Sequence, residues 1–147
     1  MEESKSAVVL LVEDDPGDQK LIKYALGTQH LNHGLRIVGT GEEALEYLAN
    51  CQKAMAGYEW PDLILLDLNM PGMGGKEFLR CIKADPQLCE LPVVIVSTSD
   101  AESDIEETYK LHAAGYVQKS ASPDELKRVI QKLVKYWFAT SSLVAKQ

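Results

Sequence analysis

The chain has 147 residues, of which 46% are hydrophobic and 25% are charged, and its formal net charge is −7. This length is typical of one compact domain, so we expect a single domain over residues 1–147, with its core at about 7–139 and short polar tails. The acidic balance argues against binding to DNA, RNA or anionic membranes, which requires clustered lysine and arginine. Three cysteines without CxxC spacing, a polar amino terminus and no long apolar run predict a cytoplasmic protein without a disulfide framework, secretion signal or membrane span.

Strand-like and helix-like segments alternate along the chain. The predicted strands are residues 7–12, 35–38, 62–68, 92–96 and 115–118. Apolar residues at helical spacing predict a helix after each strand. The second predicted helix includes Met55 and ends near Gly57, and the fifth predicted helix runs from Ser122 to about Phe138. This alternation predicts an α/β fold of the flavodoxin-like (βα)₅ type, a doubly wound parallel sheet in the order 2-1-3-4-5. Only about ten residues follow the fifth helix, so we expect no attached output domain.

Acidic residues follow two strands that this order places side by side. Glu13 and Asp14 come directly after the first strand, and Asp67 comes at the end of the third. In open parallel sheets, ligands bind beyond the carboxyl ends of the strands, where the strand order reverses. Carboxylates gathered there repel one another unless a cation neutralises them, and Mg²⁺ prefers such oxygen ligands. Asp15 is expected only to cap the first helix, as acidic residues after strands often do.

Two further polar residues are predicted to lie at the same edge of the sheet. Ser97 follows the fourth apolar run, and Lys119 closes the fifth strand. A hydroxyl and an ammonium beside a carboxylate–metal cluster can hold phosphoryl oxygens. Either residue alone would be unremarkable, but the combination predicts a phosphoryl-transfer site.

With these residues in place, the sequence resembles the CheY-like response-regulator receiver family over nearly its whole length. The segments that carry the resemblance are LLVEDD at 10–15, LILLDLNMPGMGG at 63–75, PVVIVSTS at 92–99 and GYVQKS at 115–120. The resemblance implies that Asp67 is the phosphoacceptor. It also implies that Mg²⁺ is held by Glu13, Asp14, Asp67 and the backbone carbonyl of Asn69.

The same resemblance implies a switch. Ser97 matches the hydroxyl that moves to a phosphoryl oxygen, Tyr116 the aromatic residue whose rotamer changes, and Lys119 the lysine of the family's site. Thr98 is the alternative hydroxyl, but it breaks the spacing to Lys119, so Ser97 is preferred. Ser120 stands where the family usually has proline.

The resemblance also suggests partners. The longer stretches at 29–34 and 52–60 and the aromatic carboxyl-terminal segment are similar to single-domain regulators that pair with phytochrome-type histidine kinases. A sensor histidine kinase is therefore the expected phosphodonor, with a bacterial phytochrome as the candidate.

Three consecutive aromatic residues, Tyr136, Trp137 and Phe138, end the last predicted helix. At 100° per residue they fan over about 200° of helix surface, which is wider than a core-facing stripe. At least one ring should therefore be exposed or buried in a partner. This favours a homodimer through helix four, strand five and helix five, the alternative being a terminal helix that buries its own rings.

Three other functions compete with this interpretation. A phosphatase with an aspartate nucleophile would need a second aspartate two residues on, where this chain has Asn69. A flavodoxin-like electron carrier would need a phosphate cradle after the first strand, where this chain is acidic. A receiver-like module that binds partners without being phosphorylated is disfavoured by the joint presence of Asp14, Asp67, Ser97 and Lys119. We therefore expect a phosphoacceptor signalling domain rather than an enzyme with a separate substrate.

Overall fold

The computed structural model describes residues 7–27, 34–119 and 122–140, with side chains up to residue 138. Five parallel strands form one sheet in the order β2-β1-β3-β4-β5. The strands are β1 (Val9–Val12), β2 (Leu35–Val38), β3 (Leu63–Leu66), β4 (Val93–Ser97) and β5 (Gly115–Gln118). The predicted flavodoxin-like fold and strand order are confirmed, although the first and third strands are shorter than predicted.

Five α-helices connect and follow the strands. They are α1 (Pro16–Gly27), α2 (Gly41–Gln52), α3 (Gly75–Lys83), α4 (Glu102–Lys110) and α5 (Pro123–Lys135), and a π-helix (Tyr136–Thr140) continues α5. Side-chain oxygens cap three helix starts: those of Asp15, Thr40 and Ser122 accept backbone N–H groups three residues on. None of the helices in these ranges is long and apolar enough to cross a bilayer.

Two hydrophobic cores cover the two faces of the sheet. Alternation along β1 sends Leu10 and Val12 into the core beneath α2 and α3, and Val9 and Leu11 into the core beneath α1 and α5. All four residues of β1 and all four of β3 are buried. This two-sided burial explains why the central strands are continuous apolar runs in the sequence.

One predicted helix end is wrong, and another helix changes type before its end. The second helix ends at Gln52, because Ala54 takes a left-handed conformation (φ 57°) and breaks the repeat. Met55 therefore lies in an exposed loop rather than on the apolar face of α2. The fifth helix continues past Phe138, as predicted, but it is α-helical only to Lys135 and π-helical from Tyr136.

The three terminal aromatic rings have different environments. Tyr136 is 55% exposed, whereas Trp137 and Phe138 pack against the core beneath α1 and α5. The expectation that at least one ring is exposed is met by Tyr136 alone. The other two rings supply apolar surface to the chain's own core.

Candidate functional site

Three carboxylates converge at the carboxyl ends of β1 and β3. These strands pair with Val12 opposite Leu66, so Glu13 and Asp67 leave the sheet at the same level. One carboxylate oxygen each from Glu13, Asp14 and Asp67 lies within 4.8 Å of the other two. Glu13 and Asp67 are buried, at 1% and 5% exposure, whereas Asp14 is exposed. The cluster therefore opens to solvent on the side of Asp14.

Lys119 provides the positive charge of this cluster. Its backbone N–H donates to the carbonyl of Ser97 at 2.7 Å, which fixes the end of β5 beside β4. Its Nζ lies 2.7 Å from Glu13 Oε1, 2.8 Å from Asp18 Oδ2 and 3.7 Å from Asp67 Oδ1. The side chain is only 6% exposed. One buried ammonium thus contacts carboxylates from three segments of the chain.

Burial and charge set the protonation of the site. Burial raises the pKa of the Glu13 and Asp67 carboxyls above their ordinary values, while Lys119 acts in the opposite direction on both. Burial alone would lower the pKa of Lys119, but its hydrogen bonds to Asp18 and Glu13 raise that pKa overall. Among the described residues, three carboxylates contact the Lys119 ammonium, and the Asp14 carboxylate adds a fourth negative charge to the cluster. The donor set fits a hard divalent cation, which binds through carboxylate oxygens and would offset the remaining negative charge.

The loop after β3 positions Asp67. The backbone N–H of Asn69 donates to the Asp67 carboxylate and stabilises its ionised form. The N–H of Gly75, the first residue of α3, donates to the carbonyl of Leu68 at 3.0 Å. This bond holds the start of α3 directly against the end of the strand. Asn69 itself is exposed.

The structure distinguishes the two candidate hydroxyls after β4. Ser97 is fully buried as the last residue of the strand, whereas Thr98 is exposed. Ser97 Oγ accepts the backbone N–H of Ser99 at 3.2 Å, and the Tyr116 hydroxyl donates to the carbonyl of Ser99 at 2.8 Å. Ser97 and Tyr116 therefore contact the same residue of the β4–α4 loop. Ser120, which replaces the usual proline, lies outside the described residues.

Sequence reasoning missed Asp18 as a member of this site. Its carboxylate accepts a hydrogen bond from the Lys119 ammonium, a contact that the sequence does not predict. One signal was available. Asp18 lies in the first turn of α1, the helix that follows the acidic residues at the end of β1, so its carboxylate stays close to that edge of the sheet.

A doubly wound sheet with a buried aspartate after β3, an acidic pair after β1 and a buried lysine after β5 defines a phosphoacceptor switch domain. Residues 9–131 match the response regulator receiver domain. Response regulator Rcp1 of Synechocystis sp. (strain ATCC 27184 / PCC 6803 / Kazusa) is 37% identical over 144 residues, which cover 98% of this chain and 97% of Rcp1. The chain belongs to the response-regulator receiver family.

Solved structures agree with this assignment. The phosphorylated cyanobacterial phytochrome response regulator RcpA is 39% identical, with a TM-score of 0.85 over 92% of this chain and 96% of RcpA. The Mn²⁺-bound form of Rcp1 is 36% identical, with a TM-score of 0.82 over 91% of this chain and 96% of Rcp1. The chain is thus a signalling domain of two-component systems, of a family that binds a divalent metal.

Proposed function

We propose that Asp67 accepts a phosphoryl group from the phosphohistidine of a sensor histidine kinase. The observation that carries the proposal is the buried Asp67 carboxylate, grouped with Glu13 and Asp14 and 3.7 Å from the Lys119 ammonium. In the reaction, a carboxylate oxygen forms a bond to phosphorus while the bond between phosphorus and the imidazole nitrogen breaks. The product is an acyl phosphate on Asp67 and a free histidine on the kinase.

The surrounding residues would offset the negative charges that meet when the phosphoryl group approaches Asp67. Glu13, Asp14, Asp67 and the carbonyl of Asn69 would hold Mg²⁺, which when bound offsets repulsion between the carboxylate and the anionic phosphoryl group. The Lys119 ammonium, already buried beside Asp67, would bind a phosphoryl oxygen. The same groups would support later hydrolysis of the acyl phosphate, so the domain would catalyse both steps on itself.

The proposed switch runs through Ser99. Ser97 accepts from Ser99 N–H, which leaves its own hydroxyl hydrogen available for a phosphoryl oxygen. The Ser99 hydroxyl donates to Asp104 in α4 at 2.5 Å, and its carbonyl accepts from Tyr116. Movement of Ser97 toward the phosphoryl group would therefore shift the β4–α4 loop, α4 and Tyr116 together. Within α4 only Thr108 is buried, so few packing contacts oppose that shift.

The partner is proposed from similarity. RcpA is described as a phytochrome response regulator, and it is 39% identical to this chain. We propose a phytochrome-type histidine kinase as the donor, acting on a single receiver domain with its core at residues 7–139. The proposed site of action is the cytoplasm, in keeping with three cysteines that form no disulfide.

We also propose a homodimer through α4, β5 and α5. Tyr109 in α4 is 49% exposed, Val129 is exposed on one flank of α5, and Tyr136 is exposed as the first residue of the π-helical turn after α5. On the opposite flank, the Lys127 ammonium lies 4.7 Å from the centre of the Tyr24 ring in α1. The exposed apolar flank of α5 therefore faces away from α1.

If this surface mediates dimerisation, Tyr136→Ser should raise the dimer dissociation constant by about tenfold, because exposed aromatic residues are frequent anchors of interfaces. Light scattering over a range of micromolar concentrations measures the change. Tyr24→Ser, which removes an equally exposed ring from α1, is the control and should leave the constant unchanged. A chain that stays monomeric with and without phosphorylation would rule out the dimer.

The phosphoacceptor role is tested by intact-mass spectrometry after incubation with a small phosphodonor. We expect one phosphoryl adduct that requires Mg²⁺ and disappears in Asp67→Asn, since the amide is a far weaker nucleophile than the carboxylate. An adduct that survives in Asp67→Asn would contradict the assignment. The absence of any adduct in the wild type would favour the alternative of a receiver-like module that is not phosphorylated.

A further inference from the structure

The Asp18 carboxylate accepts a hydrogen bond from the Lys119 ammonium. It lies in the first turn of α1, and its Oδ2 is 2.8 Å from Lys119 Nζ. An ammonium has three N–H donors, and here two are bound, by Asp18 and by Glu13 at 2.7 Å. The distance of 3.7 Å to Asp67 is longer than a hydrogen bond. The third donor is therefore the one left for a group that approaches Asp67.

The two carboxylates that bind Lys119 have different additional contacts. Glu13 belongs to the acidic cluster that fits a metal, and its second oxygen accepts the N–H of Asp15. Asp18 is not a member of that cluster among the residues described. The backbone N–H of Asp18 donates to the Asp15 carboxylate at 2.8 Å, and this bond fixes the first turn of α1. Asp18 can thus keep Lys119 in place while Glu13 turns toward a cation.

We propose that Asp18 is a positioning residue for phosphoryl transfer: it holds the Lys119 ammonium on the α1 side of the site, with one donor directed toward the phosphoryl group arriving at Asp67. This inference rests on the proposed phosphoacceptor function of Asp67. The first turn of α1 would thus position Lys119, a role separate from that of the metal-binding residues.

Loss of Asp18 has a defined consequence. The ammonium loses the charge-assisted hydrogen bond that ties it to α1, so it can shift the short distance that separates it from the Asp67 carboxylate. A direct ion pair would occupy the nucleophilic oxygens and would turn the third donor away from the incoming phosphoryl group. Phosphorylation should slow even when the metal site is saturated.

The test is the rate of adduct formation with a small phosphodonor at saturating Mg²⁺. We expect Asp18→Asn to be about tenfold slower than the wild type, which is typical when a group orienting a functional side chain is removed. Asp18→Glu keeps the charge and should recover most of the rate. Glu46→Gln, which removes an exposed carboxylate from α2, is the matched control and should react as the wild type does.

A double-mutant cycle separates positioning from a general effect of charge or folding. In a Lys119→Met background, Asp18→Asn should produce no further slowing, because the group that it orients is absent. Equal slowing in both backgrounds, or a wild-type rate for Asp18→Asn, would overturn the inference while leaving Asp67 as the phosphoacceptor. If the wild type formed no adduct, the proposed function would fail, and this inference with it.

Discussion

Replacing Lys119 with methionine is expected to lower the free energy of unfolding by about 3 kcal/mol at neutral pH in metal-free buffer. The substitution keeps much of the apolar stem but removes the ammonium that contacts Glu13, Asp18 and Asp67. Glu13 and Asp67 are buried, so their charges would be left without the opposite charge that offsets their desolvation.

The loss should depend on pH with a definite sign. Burial already raises the pKa of Glu13 and Asp67 above 4.5 and 3.8, and without Lys119 both values rise further. A carboxyl with a raised pKa binds more protons in the folded state, so its unfavourable effect grows as the pH increases through that range. The difference between variant and wild type should therefore be smallest below about pH 4 and largest near neutrality.

Urea denaturation at several pH values, with and without Mg²⁺, measures this effect. Added Mg²⁺ should restore part of the lost stability of Lys119→Met, because a cation bound by the carboxylates replaces the missing positive charge. Lys20→Met, which removes an exposed ammonium from α1, should show neither the pH dependence nor the recovery. A loss that is independent of both pH and Mg²⁺ would show that Lys119 acts through packing alone.

Gly75→Ala is expected to destabilise the domain by about 2 kcal/mol and to slow phosphorylation of Asp67. A Cβ at Gly75 would lie 2.7 Å from the Cα of Leu68 and would also meet the backbone carbonyl of Asp67. Because these atoms belong to the backbone, α3 would have to move away from the end of β3. That movement would disturb the loop that directs the Asp67 carboxylate toward the cluster.

The neighbouring residue provides a matched control. A Cβ at Gly74 would lie 3.6 Å from the carbonyl oxygen of Leu68, which is an ordinary contact. Gly74→Ala changes the residue before the helix and should cost less than about 1 kcal/mol. Thermal unfolding and adduct formation should therefore separate the two variants, and equal behaviour of both would contradict the close approach of α3 to β3.

The sequence was most informative where burial and strand order determine the structure. The apolar runs of β1 and β3 reflect helices on both faces of the sheet, and the strand order places Glu13 beside Asp67. From those two facts alone a site at this edge was predictable. The helix caps at Asp15 and Ser122 were predictable for a similar reason, since they depend on local hydrogen bonds.

Other features depend on contacts between distant segments or on one local conformation. Asp18 binds Lys119 across 101 residues of sequence, which periodicity does not reveal. The left-handed Ala54 ends α2 before Met55 although the apolar spacing continues. Likewise, nothing in three adjacent aromatic letters shows that Trp137 packs on the core while Tyr136 is exposed.

The most direct measurement for the central claim is chemical localisation of the phosphoryl group. The chain would be incubated with a small phosphodonor and Mg²⁺ and then reduced with borohydride, which converts an aspartyl phosphate to homoserine, and its peptides would be sequenced by mass spectrometry. We predict homoserine at position 67, dependent on both phosphodonor and Mg²⁺. Homoserine at another aspartate, or a phosphoryl group retained on serine, threonine or histidine with Asp67 unchanged, would contradict the assignment of Asp67 as the phosphoacceptor.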